Sequence, residues 1–473
     1  MKKDNKQYTV EDIEKIGNSV VGKKIKDLGD FKYDLEDFDY KGGIGVLMEE
    51  NVFEYGANNK SKPDFEKAGV ELKSTPVKRN KNGTYSAKER LVLNIINYMT
   101  EYKKTFQTSS FYTKNNKLFI MFYLWEDKLP KSEYTILSNI LYEFPEEDLE
   151  IIKQDWHNII HKIKEGKAHE ISEADTLYLG ACTKGRNNQD LTRQPFSDIL
   201  AMRRAFCLKN SYMTFLVRSK VMNDKVESII NKSKLGNTTF ERLIYDKVKR
   251  YIGKTVEELV NIFNLNSASK NVNERIFASM LNINGKVNDC EEFQKANIKC
   301  KTIRVKCNGT IQESMSFPAF KFTEIVNEEW ETSNLRESFS EFKYVFVLFN
   351  EIEKNYRFSG FILWNMPLSI LDKQIKDVWN ETVNVIKSGN IIKKYKVQSN
   401  GKTLISNNFP KITFNGLCHV RPHARTSSDT NPLPIRDKLT GISEYTKQCF
   451  WLNSSYIKSI IRVNKNYNTL NSN

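Results

Sequence analysis

Pro63-Asp64-Phe-Glu-Lys-Ala-Gly69-Val-Glu71-Leu72-Lys73-Ser-Thr75 is the stretch on which the fold of this chain turns. Apolar and polar residues alternate from Gly69 to Thr75, which predicts a β-strand. In a strand, Glu71 and Lys73 share one face and Leu72 takes the other. Asp64 enters from the turn before it, so two carboxylates and one ammonium converge on a point. Phosphodiester hydrolysis uses that combination. Carboxylate oxygens hold Mg²⁺, which keeps several waters and takes a phosphate oxygen. The metal acidifies its water and neutralises charge growing on the phosphate. A neighbouring lysine orients or deprotonates the attacking water. The carboxylates should repel one another until the cation arrives, raising the pKa of one of them. An exposed strand with solvated charges is the plain alternative. Two further residues favour the catalytic one: Glu49, a third carboxylate on a preceding helix, and Lys114, a second cation just before a strand.

Outward from this string, Thr9-Val-Glu-Asp12 resembles a capping box opening a helix that carries Ile13, Ile16, Val20 and Val21. Gly42 to Tyr55 places Ile44, Leu47 and Met48 at helical spacing, with Glu49 beside the apolar face. Lys117-Leu-Phe-Ile-Met-Phe-Tyr-Leu-Trp125 reads as a buried central strand. Asp148 to Gly166 reads as an amphipathic helix. The fold class expected is mixed α/β, a sheet with flanking helices.

The chain also repeats itself. Val21-Gly-Lys-Lys-Ile-Lys-Asp-Leu28 returns as Ile252-Gly-Lys-Thr-Val-Glu-Glu-Leu259. Asp64-Phe-Glu-Lys-Ala-Gly-Val-Glu-Leu-Lys73 returns as Glu292-Phe-Gln-Lys-Ala-Asn-Ile-Lys-Cys-Lys301. Trp156 and Gly166 are echoed by Trp379 and Gly389, and Phe206-Cys-Leu-Lys-Asn-Ser-Tyr212 by Phe450-Trp-Leu-Asn-Ser-Ser-Tyr456. The matches keep their order and a nearly constant separation. Two copies of one domain are expected: 1–220, a polar connection over 221–244, and 245–473.

The chain has 473 residues, enough for two or three domains. Its 73 Lys+Arg against 58 Asp+Glu give a formal charge of +15, which points to nucleic acid or, more simply, to a solvated basic surface. Seven cysteines without a CxxC pair fit a reduced cytoplasm and no structural zinc. His157 and His161 lie four apart, but no acidic base stands between them as in HExxH, so they read as a polar helix face. The N-terminus has no signal-peptide core and no run is long enough for a membrane span, so a soluble cytoplasmic protein with no membrane partner is expected.

Lys41-Gly-Gly-Ile-Gly-Val-Leu-Met-Glu49, Lys62-Pro-Asp64 and Val-Glu71-Leu-Lys73 with Thr75-Pro76-Val77 resemble the MutH family of GATC-specific endonucleases. So do Thr108-Ser109 before Lys114, Asp155-Trp156, and Tyr178-Leu179 before Lys184. The first copy resembles a MutH domain over nearly its whole length. The whole chain, repeat included, is similar to the two-domain type II restriction enzymes of the family, and Ser86 to Tyr98 especially so. The resemblance implies a PD-(D/E)xK restriction-endonuclease-like fold, duplicated as two tandem MutH-like domains, with Mg²⁺ as cofactor. It implies metal ligation by Asp64 and Glu71, supported by Glu49, catalysis by Lys73, and a supporting role for Lys114. It implies a DNA-reading role for Lys41 and for the loop Cys182-Thr-Lys-Gly-Arg186. Lys or Arg reads guanine and Asn or Gln reads adenine in the major groove, and Lys184, Arg186, Asn187, Asn188 and Gln189 offer both. The first copy departs from MutH at Cys182, Thr183 and Cys207, where the family has Arg, Pro and Tyr. The base readout there is therefore in question.

In the second copy Lys299 matches Glu71 and Asn282 matches Glu49, leaving Glu292 and Lys301. A cation in a ligand's place disfavours Mg²⁺. Yet His419-Val-Arg421-Pro-His423 resembles the family's base-reading loop. The second copy is expected to bind DNA without cutting it, or else to remain as structural support. The function expected is cleavage of double-stranded DNA at GATC, leaving 5′-phosphates and a 5′ overhang. Dimerisation on DNA and a cognate methyltransferase encoded nearby would accompany it. A strand-nicking repair nuclease and a non-catalytic DNA-binding protein stay open as alternatives.

Overall fold

A computed structural model describes residues 7–29, 43–56, 61–185, 190–229, 239–312, 314–399 and 403–469. It separates into two units, Met1–Ile244 with Asn282–Ile298, and Tyr245–Leu281 with Lys299–Asn473.

In the first unit, α1 (Val10–Ser19) opens on the expected capping box: the Thr9 hydroxyl accepts from the Asp12 amide, and the Asp12 carboxylate accepts from the Thr9 amide at 3.0 Å. Ile13 and Val20 are buried, whereas Val21 lies beyond the helix end and is exposed. Gly17 is obligatory, because a Cβ there would meet the Phe119 ring at 2.3 Å. The expected helix from Gly42 to Tyr55 is instead short: α2 (Gly43–Leu47) passes into a π-helical turn, Met48–Val52. Such turns are frequent at functional sites, and Glu49 lies in this one.

The strand around Glu71 is β1 (Glu71–Arg79), longer than the alternation predicts. It is followed by β2 (Tyr85–Ala87), β3 (Leu91–Ile95), the helix α3 (Ser110–Asn115), β4 (Lys117–Trp125) and β5 (Thr135–Glu143). One sheet has the order β2-β1-β4-β5, with β1 parallel to β4 and the outer pairs antiparallel. The central strand β4 has the bounds read from its apolar run, and Leu118 to Phe122 are fully buried. Helix α4 (Glu146–Lys164) buries Ile151, Ile152, Trp156, Ile159, Ile160 and Ile163 along one face. A second, antiparallel sheet has the order β3-β9-β6, where β6 is Leu179–Thr183 and β9 is Arg204–Leu208. The hairpin of β7 (Leu191–Gln194) and β8 (Ser197–Met202) lies between these strands in sequence. Helix α5 (Asn210–Leu216) follows.

The first unit also contains α6 (Glu291–Lys295), although the repeat assigns it to the second copy. Lys295 is buried there. Its Nζ donates to both Asp148 carboxylate oxygens at 2.8 and 2.7 Å and to Glu291 at 2.6 Å. The Tyr212 hydroxyl donates to Asp148 at 2.7 Å and exchanges a 2.7 Å hydrogen bond with Tyr142.

In the second unit, β10 (Ile298–Val305), β12 (Lys343–Ile352) and β13 (Asn355–Trp364) form a sheet in that order. A second sheet has the order β11-β15-β14, with β11 Met315–Phe320, β14 Cys418–Pro422 and β15 Gln448–Leu452. Helix α7 (Lys376–Ser388) buries Trp379 and ends on left-handed Gly389, and α8 (Ser454–Thr469) follows β15. None of the seven cysteines is in a disulfide. Among the described residues no helix is long and apolar enough to cross a membrane.

Candidate active site

The two carboxylates and the lysine meet as the alternation requires. Asp64 and Glu71 are buried and hold one another's backbone. The Asp64 amide donates to Glu71 Oε2 at 3.1 Å, and the Leu72 amide donates to Asp64 Oδ2 at 3.1 Å. Lys73 Nζ donates to Glu71 Oε1 at 2.6 Å, and Lys114 Nζ stands 3.4 Å from the same oxygen. Lys114 arrives by a separate route. Ser109 caps α3 by accepting from the Tyr112 amide at 3.0 Å, and buried Glu101 accepts from the Ser110 amide at 2.8 Å. That fixes the start of the short helix whose last turn carries Lys114.

Glu49 enters the same field from the π-helical turn. Its carboxyl is pushed up to about 7 by burial first and then by the Asp64 charge, against Lys73 and Lys114. Asp64 is also pushed up to about 7, by burial and by Glu71, against the two lysines and the Leu72 amide. The mutual repulsion expected from the sequence is therefore present, on two groups. Among the described residues, no three His, Cys, Asp or Glu side chains close into a single cation-holding cluster. The Asp64–Glu71 pair still fits a magnesium ion, which takes one or two carboxylates and completes its shell with water and phosphate oxygens.

Sequence reasoning missed Tyr55. It is buried and packs edge-on against Phe65 at 5.5 Å, and its hydroxyl has no hydrogen-bond partner among the described residues. Nothing in the apolar periodicity marks it, because the chain has already left the helix there.

The candidate reading residues are less completely placed. Lys41, Arg186, Asn187, Asn188 and Gln189 lie outside the described residues. Lys184 is exposed just after β6, and its amide donates to the Arg203 carbonyl at 2.8 Å. The family motifs Asp155-Trp156 and Tyr178-Leu179 meet: the Asp155 carboxylate accepts from the amides of Leu177, Tyr178 and Leu179 at 2.6–2.9 Å. That contact anchors the strand leading to Lys184. Cys182 and Cys207 are buried diagonal neighbours across β6 and β9.

In the second unit, the corresponding diagonal pair across β14 and β15 is Arg421 and Trp451. The exposed Arg421 guanidinium lies 3.8 Å above the Trp451 ring, and His423 packs edge-on against that ring at 5.6 Å. Lys299 Nζ lies 5.1 Å over the Phe342 ring. Glu292, the sequence match of Asp64, is in the first unit. It accepts from the Ser228 hydroxyl at 2.5 Å and the Ile229 amide at 3.0 Å.

A buried acidic pair beside the central strands of a mixed sheet, with two lysines on one oxygen of Glu71, can hold a cation and offset charge on a phosphate. The family model described as DNA mismatch repair enzyme MutH matches residues 53–155, which include Asp64, Glu71, Lys73 and Lys114 but not Glu49. The chain is 39% identical over 451 residues to the type II restriction enzyme Sau3AI of Staphylococcus aureus, covering 88% of this chain and 92% of that enzyme. It is 27% identical over 194 residues to the DNA mismatch repair protein MutH of Vibrio campbellii, covering 40% of this chain and 82% of that protein. The corresponding protein of Shewanella baltica is 31% identical over 186 residues, covering 38% of this chain and 80% of its own length. The chain belongs to the MutH/Sau3AI family, as a type II site-specific endonuclease.

Proposed function

We propose that this endonuclease cuts both strands of DNA at GATC by magnesium-dependent hydrolysis, leaving 5′-phosphates and a 5′ four-base overhang. The observation that carries the chemistry is the convergence of Lys73 and Lys114 on one oxygen of Glu71, beside Asp64. Asp64 and Glu71 would hold the ion, with Glu49 beside them. Magnesium there supplies an acidified water and a counter-charge for the phosphate. Lys73 would orient the attacking water, and Lys114 would offset charge on the phosphate oxygens. The GATC site rests on the family and on its two-domain restriction member.

We further propose that residues 245–473 are a second MutH-like domain that binds a second DNA site without cleaving it and favours cutting by the first. Three observations support this. The three strands β10-β12-β13 follow the order of β1-β4-β5 in the four-stranded sheet, and β11-β15-β14 follows that of β3-β9-β6. Lys299 stands where Glu71 would be. Arg421 presents a stacked guanidinium to solvent. With one proposed centre per chain, the two strand scissions take either two chains meeting on the palindromic site or one chain cutting twice. A cytoplasmic setting and a methyltransferase encoded nearby complete the restriction system.

The test is a supercoiled plasmid of known sequence, incubated with and without Mg²⁺. Linear product whose ends begin with GATC is expected, and Glu71→Ala should give none. Nicked circles alone would support the strand-nicking alternative, and Glu71→Ala cutting at the wild-type rate would refute the site.

A further inference from the structure

Tyr55 is built into the nuclease centre by features that packing alone does not require. Glu54, the residue before it, adopts a left-handed backbone with φ of 55°. A non-glycine residue pays roughly 1–2 kcal/mol for that conformation. Just after the π-helical segment, the Tyr55 amide donates to the Glu49 carbonyl at 3.0 Å. The ring then lies against Phe65, immediately after Asp64. Tyr55 is thus tied by its backbone to one acidic residue and by its ring to the neighbour of another. The charges acting on its phenol are those of Asp64, Glu49 and Glu71, in that order of strength, after burial. Its hydroxyl, on a residue only 2% exposed, makes no hydrogen bond among the described residues. A buried unsatisfied hydroxyl is destabilising, and aromatic packing would be served equally by phenylalanine.

We propose that Tyr55 is a positioning residue for the cation site, whose hydroxyl donates to the Asp64 carboxylate when that carboxylate binds the metal. Carboxylates that ligate metals are themselves held by hydrogen bonds from a surrounding layer of groups, and loss of such a partner typically lowers metal affinity or activity by about 10–100-fold. Glu71 already has Lys73 and Lys114 as donors. Asp64 receives the Leu72 amide on Oδ2, and Tyr55 would supply a further donor of neutral charge, which does not compete electrostatically with the cation. This inference rests on Asp64 and Glu71 being the cation site.

The experiment titrates full-length wild type, Tyr55→Phe and Asp64→Asn with Mn²⁺, followed by electron paramagnetic resonance, and measures metal-free urea midpoints alongside. Tyr55→Phe is expected to weaken Mn²⁺ binding by about 10-fold or more, with a metal-free midpoint equal to or above that of wild type, since no bond is lost. Its cleavage rate should approach wild type as Mg²⁺ is raised, while KM for DNA stays constant. A purely structural tyrosine would give the opposite pattern, with lower metal-free stability and unchanged Mn²⁺ affinity, and either of those results overturns the proposal. Asp64→Asn separates the two levels. If it binds Mn²⁺ like wild type, the site assignment itself fails. If it loses binding while Tyr55→Phe keeps it within twofold, only the role of Tyr55 fails.

Discussion

Replacing Lys295 by alanine should destabilise the first unit by about 3–5 kcal/mol, the usual consequence of removing one partner from a buried ion pair. The ammonium is nearly inaccessible: its side chain is 3% exposed and that of Asp148 is 1% exposed. Burial works against its charge, but Asp148 and Glu291 hold its pKa above the ordinary lysine value. Its removal leaves the Asp148 carboxylate in the interior with the Tyr212 hydroxyl as its remaining side-chain donor among the described residues. The side chain also covers the Phe215, Tyr212 and Tyr178 rings at 4.7, 5.6 and 5.7 Å, and that packing is lost too. With a urea slope of about 2–3 kcal/mol per molar, the midpoint should fall by about 1–2.5 M. Lys153→Ala is the control, since its contact to Glu150 is a 3.6 Å surface pair and surface pairs are worth about 0–1 kcal/mol. The assay is urea unfolding followed by tryptophan fluorescence, with Trp125 and Trp156 in the first unit. Asp148→Asn and the double variant complete a thermodynamic cycle. A loss below about 1 kcal/mol for Lys295→Ala would refute the view that 282–298 is integral to the first unit. The larger loss would mean that residues 1–220 alone lack part of their own core.

Three further outcomes are expected. With Asp64 and Glu49 both pushed up to about 7, the metal-free folded state binds protons more tightly than the unfolded chain, so its stability should fall as pH rises from about 4 to about 7. Magnesium needs those groups ionised, so the stabilisation it confers should grow over the same interval; urea midpoints with and without Mg²⁺ check both signs, and a flat profile rejects them. Lys184→Ala should weaken binding to GATC by about 1–3 kcal/mol more than to a one-base variant if the ammonium meets a base edge, whereas an equal loss on both, with a flatter salt dependence, marks a phosphate contact. Arg421→Ala should remove the rate advantage of two-site over one-site DNA, an effect of about 5–150-fold, while leaving Mn²⁺ binding intact; wild type cutting both substrates equally would reduce the second domain to support.

The acidic string with its lysine was legible because a strand's period of two is rigid. Glu71 and Lys73 had to share a face, and Lys117–Trp125 was too uniformly apolar to be anything but a central strand. Glu49 and Lys114 were legible as charges but not as positions, since one depends on a π-helical turn and the other on the Ser109 cap. Tyr55 was hidden because its placement comes from one left-handed residue, a backbone fact without a pattern in the apolar sequence. The stretch 292–298 was assigned by its likeness to 64–70. Likeness records descent and not contact, so nothing in it revealed that Lys295 would bury its charge against Asp148.

The proposed division of work follows from what stands at matching places in the two halves. Cleavage needs carboxylates, and the first copy keeps Asp64 and Glu71 where the second has Glu292, turned to Ser228 and Ile229, and Lys299. Reading needs an exposed, directed donor. At the diagonal position where the second copy stacks Arg421 on Trp451, the first has Cys182 and Cys207, two buried thiols with little to offer a base edge. A guanidinium resting on an indole has already given up much of its rotational freedom, so less is lost when it docks. Such an asymmetric pair suits a nuclease that is meant to sense a second site. A module that cut the DNA it sensed would destroy its own signal, whereas one that binds and cannot cut keeps its site occupied for as long as the active copy needs it.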